Sequence, residues 1–197
     1  MRLHLRHHLR RSEQAGTIDS LASGLPFQTV SPIFISVRPN LTAYRGKLLS
    51  NCLDKGTRVH AGGFLRKRRI VLESQLFGDD ALLRLILTHE LFHFVWPRLG
   101  NPLRTEFADL VREELDRKAR GELGESAAVS KQNVLANCNS GATDRHFRHY
   151  VCEAFCDTGA FLYAGVSASE HFTLAPRWIA RRQTWFQGAI DWESRCI

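Results

Sequence analysis

The sequence predicts an α+β fold, and three observations carry that reading. Short extended runs lie in the first 75 of the 197 residues, one ended by Pro39-Asn40 and another followed by Gly62-Gly63. An apolar segment with helical periodicity begins at Asp80, and a second lies between Asp144 and Val166. The length suits one domain with a real core, and an apolar fraction of 44% is ordinary for a globular chain.

Each element has its own signal. Met1 to Arg11 is basic and lacks the apolar stretch of a secretory signal, so residues 1–20 read as a basic N-terminal arm and residues 21–197 as the folded domain. Pro32 to Arg38 reads as a strand, ended by Pro39 and Asn40. Thr57–Ala61 and Arg69–Glu73 are further extended runs, and Gly62-Gly63 between them predicts a bend or bulge. Gly78-Asp79-Asp80 marks a helix start, with Asp79 or Asp80 as N-cap, and Pro97 and Gly100 mark its end. Leu87, Leu91, Phe94 and Val95 are its expected core face. Pro102 to Lys118 reads as a charged amphipathic helix, and Gly121 to Gly141 as a polar, loop-like connection. Pro176 to Phe186 reads as a closing helix whose tryptophans pack on the core.

The first long helix contains His89-Glu90-Leu91-Phe92-His93, an H-E-x-x-H pattern. Residues four apart share a helix face, so His89 and His93 can reach one metal ion. Glu90 then lies beside that ion, where a general base for a metal-activated water is needed. A catalytic zinc site uses three protein ligands and leaves a position for water. Downstream candidates for the third are Glu106, Asp109, Glu113, Glu114, His146, His149 and Glu153. Glu153 stands out, because the second long helix carries it with Asp157 one turn later. A ligand carboxylate followed by a partner for the outer nitrogen of a ligating histidine is sound metal-site chemistry. Ala154 is small enough to let the two helices approach.

With these residues the chain resembles the gluzincin metallopeptidases, the thermolysin-like class, through H-E-x-x-H at 89–93 and E-x-x-x-D at 153–157. The resemblance spans about residues 60 to 166. It implies a zincin-like domain, with a small mixed or antiparallel sheet packed on an active-site helix and on a second, glutamate-bearing helix. It implies zinc (Zn2+) held by His89, His93 and Glu153, Glu90 as the base, and Asp157 orienting His89. It also implies a peptide or protein substrate, bound by strand addition to the sheet edge that precedes the motif helix. Tyr150, His146, His149, Tyr163 and His171 are candidates for the side chain that stabilises the oxyanion. The chain departs from thermolysin in the longer gap between His93 and Glu153. Glu113 sits at the thermolysin-like spacing, but Arg117 stands where the aspartate belongs.

Composition bounds the remaining classes. The five cysteines form no C-x-x-C pair and read as buried thiols of a reducing compartment, which points to the cytoplasm. Cys152 and Cys156 flank Glu153, and the other reading of this pair is a soft metal site with His149. No run of 18 apolar residues occurs, so no membrane-spanning helix is expected. The net charge of +7 and pI near 9.5 leave nucleic acid open as a partner, but no nucleic-acid motif accompanies them. A zinc peptidase is thus the expected function. Beside it stand a non-catalytic binding or regulatory protein on a zincin scaffold and a basic nucleic-acid-binding module.

Overall fold

The computed structural model describes residues 5–7, 13–52, 54–137, 143–192, 194 and 197. Among them the chain is α+β, with two small sheets and six α-helices. The main sheet is mixed. Strands β1 (Leu5–His7), β2 (Ile33–Arg38) and β7 (Arg69–Glu73) run parallel, and β6 (Ala61–Phe64) closes one edge antiparallel to β7. Ile33, Ile35, Ile70 and Leu72 are buried and share one face of the sheet, while Phe34 on the other face is exposed.

The second sheet orders β4 (Lys47–Ser50), β3 (Leu41–Tyr44) and β5 (Thr57–Arg58), all antiparallel. The expected strand at 57–61 is therefore divided between the two sheets. The Val59 amide donates to the Leu41 carbonyl in the small sheet, and the His60 carbonyl accepts from the Glu73 amide in the main one. Gly62 and Gly63 form no bulge. They pair in register with Val71 and Ile70, and their missing side chains serve packing.

Helix α1 (Glu13–Gly24) joins β1 to β2 and buries Ile18 and Leu21. The boundary drawn at residue 21 thus falls inside a helix, whose buried apolar residues are Ala15, Ile18 and Leu21. Residues 1–4 and 8–12 of the basic arm lie outside the described residues. After β7 a 3-10 turn leads into α2 (Asp80–Val95), whose N-cap Asp79 accepts from the Leu82 amide at 3.0 Å. Leu83, Leu87, Leu91, Phe94 and Val95 are buried, as the periodicity predicts. Helix α3 (Asn101–Asp116) follows at the expected place.

Residues 125–136 form α4 (Glu125–Ala136), which corrects the reading of Gly121 to Gly141 as a loop. Residues 138–142 of that span lie outside the described residues. Helix α5 (Thr143–Tyr163) packs against both α2 and α4, and α6 (Pro176–Ala189) closes the helical layer. Phe92, Phe107, Phe155, Trp185 and Phe186 form an aromatic core between α2, α3, α5 and α6, with Phe155 and Phe186 stacked at 4.9 Å. Trp178 packs separately, on Ala119, Leu123 and Leu174. No helix among the described residues is long and apolar enough to cross a membrane.

Candidate metal centre

Helices α2 and α5 meet where the two motifs face each other. His89 and His93 lie one turn apart on α2, and their Nε2 atoms are 3.1 Å apart. From α5, Glu153 Oε2 stands 3.3 Å from His89 Nε2 and 3.8 Å from His93 Nε2. Three donors brought together from two elements is the arrangement a cation rationalises. Metal bonds of about 2.0–2.1 Å in a tetrahedron put ligand atoms about 3.3 Å apart. The observed triangle matches that edge, and two imidazoles with one carboxylate are a donor set suited to zinc.

Asp157, one turn after Glu153, places Oδ1 2.6 Å from His89 Nδ1. That contact leaves Nε2 of His89 as the nitrogen free to ligate. The second oxygen of Asp157 accepts from the Ala127 amide at 2.8 Å, in the first turn of α4. Helix α4 begins at Gly124 without a side-chain cap of its own, so Asp157 caps it from a distance. The backbone approach is close enough that a Cβ on Gly124 would overlap the Asp157 carboxylate.

The other third-ligand candidates stand elsewhere. Glu113 pairs with Arg181 and Arg117, and Glu114 is buried against Arg182. Glu106 and Asp109 are exposed on α3. His149 lies one turn before Glu153, with Nε2 3.8 Å from Glu153 Oε1 and its ring held by Ser130 at 3.1 Å.

Glu90 is buried beside the two histidines, and β6 runs past it. A Cβ on Gly63 would come within 2.8 Å of Glu90 Oε2, so a side chain there would make the carboxylate shift. A cleft of about 390 Å³ opens over the group, lined by Ala61, Glu90, Val129, His149, Glu153 and His171 among others. Of the oxyanion candidates, His149 and His171 reach this cleft. Tyr150 is buried and bonded to Glu122, Tyr163 stacks on Phe92, and His146 is not in the cleft lining.

The charges are strongly coupled. Burial disfavours a protonated His89, but the Asp157 and Glu153 carboxylates outweigh it and hold that pKa well above the ordinary imidazole value. Burial raises Glu90, with the neighbouring histidines opposing the rise. Burial acts upward on Glu153 as well, but the histidine contacts win and bring it down to about 2. Metal-free, the centre is a set of carboxylates sharing protons with two imidazoles.

His93 has a second set of neighbours that the sequence did not assign to it. Its Nδ1 lies 3.4 Å from Cys156 Sγ and 3.7 Å from Cys152 Sγ. The soft donors of α5 therefore face His93, whereas the sequence read them as buried thiols, with His149 the partner in the alternative reading. Cys138 and Cys196 lie outside the described residues. Comparison with protein-family models, curated proteins and solved structures finds no match to the chain.

Proposed function

We propose that this chain is a zincin-like zinc peptidase, hydrolysing peptide bonds with a metal-activated water. The observation that carries the reading is the convergence of His89 Nε2, His93 Nε2 and Glu153 Oε2 at the floor of an open cleft, with Glu90 beside them. Zinc bound by these three residues would supply Lewis acidity, polarising a carbonyl and acidifying water. Glu90 takes the proton of the attacking water and delivers it to the leaving amine. Its burial raises its pKa above the ordinary carboxylate value, the direction a proton acceptor needs. A buried carboxylate next to a three-donor set also has no purpose in a purely structural site, where four protein ligands would close the coordination.

The substrate lies along β6. The outer edge of that strand has no strand partner among the described residues, and Gly63 brings its backbone to Glu90. An extended peptide added there would pass over the donor triangle. His149 and His171 on the cleft wall are the side chains placed to meet a developing oxyanion.

The test is Glu90→Gln. The variant keeps one zinc per chain by metal analysis and loses cleavage of a quenched fluorescent peptide library by a factor of about a hundred or more. Undiminished turnover would remove Glu90 from the mechanism, and loss of the metal would make it a ligand.

A further inference from the structure

We infer that His93 Nδ1, Cys152 Sγ and Cys156 Sγ form a second metal site, for a thiophilic ion such as Cd2+ or Cu(I), on the opposite side of the same imidazole. The three donor atoms lie within 4.8 Å of one another. Bonds of about 2.3 Å to sulfur and 2.0–2.1 Å to nitrogen put tetrahedral S and N donors about 3.6 Å apart. The two observed N···S distances, 3.4 and 3.7 Å, bracket that value. Two thiols and one imidazole are a softer set than the two imidazoles and carboxylate across the ring, so the two sides select different ions.

The thiols touch each other through a hydrogen bond but are not placed to form a disulfide. They sit on successive turns of α5, where Cβ atoms are about 5–6 Å apart. A disulfide needs about 3.8 Å, so closing one would require α5 to unwind. Cys156 is fully buried, and Cys152 keeps part of its surface in solvent, which gives an ion a way in. Binding releases the thiol protons and changes no oxidation state.

Sharing one ring has a consequence for the first set. A neutral imidazole offers a single lone pair, so an ion on Nδ1 leaves the ring proton on Nε2 and removes His93 as a ligand of the first set. The inference rests on donor geometry alone and stands apart from the hydrolase reading.

The experiment uses reduced, metal-free Glu153→Ala protein, in which the first donor set is broken. Titration with Cd2+ should give a thiolate-to-cadmium charge-transfer band that saturates at one ion per chain. Adding Cys152→Ser and Cys156→Ser should abolish the band. Cadmium NMR of the Glu153→Ala protein should report sulfur-rich coordination, a readout that survives if the serine variants fold poorly. Absence of the band, a band untouched by the serine substitutions, or coordination by nitrogen and oxygen alone would each overturn the site. In that event the thiols only orient His93. Failure of the Glu90→Gln test would leave this result unchanged.

Discussion

A histidine holds a metal only through an unprotonated nitrogen, and Asp157 and Glu153 both favour the protonated ring of His89. Protons and metal therefore compete, and the sign of the pH effect follows. The His89 pKa lies above the ordinary 6.5, so zinc affinity should begin to fall while the solution is still above that pH. Below the raised pKa the fall is about tenfold per pH unit for each proton displaced. Asp157→Ala removes the largest charge favouring protonation, and the onset should move to lower pH even as the ring loses its support. Zinc titrations in a competing chelator, repeated across pH, read both effects. Affinity that stays flat down to pH 6 would mean that His89 is not a ligand.

The elements matter because Asp157 answers to two of them. It holds His89 on α2 and caps α4, so α4 cannot shift without disturbing the candidate metal centre. Gly124→Ala should push the carboxylate away and weaken zinc binding by about 10- to 100-fold, while circular dichroism shows the helices intact. Wild-type affinity in that variant would mean that the loop before α4 yields instead. The same capping explains why α4 was illegible in the sequence. Gly124 offers no local cap, and Gly121 and Gly124 read as breakers, because the capping group is 30 residues away. Helix α2 was legible for the opposite reason, since its cap, apolar stripe and terminating proline are all local. The hairpin of β3 and β4 lacked its usual signal. Arg45 takes positive φ at the turn before Gly46, where Asn or Asp is the common choice. The pairing of His89 with His93, and of Glu153 with Asp157, could be read because helical spacing fixes which residues share a face. The contact between His93 and the thiols could not, since it depends on how α5 is rotated against α2.

Across the whole molecule, the helical layer is tied by buried charge. Arg182 on α6 is fully buried. It donates through Nε and Nη2 to Glu114 on α3 and lies 2.9 Å from Glu122, which also pairs with Lys131 on α4 at 3.0 Å and Tyr150 on α5. Such a network stabilises only while complete, because a lone buried carboxylate is costly. Arg182→Met should destabilise the protein by about 3–5 kcal/mol, read from urea unfolding, since Glu114 and Glu122 lose their shared cation. A loss below about 1 kcal/mol would show that water or Lys131 takes over.

The contact between His89 and Asp157 spans 68 residues, and so does that between Glu114 and Arg182. A chain emerging from the ribosome thus presents its histidines long before their carboxylate partners have been made. No nascent or truncated fragment that stops short of α5 has a complete donor triangle. For the peptidase proposed above, this order would keep the centre inert throughout synthesis and complete it only when α5 docks on α2.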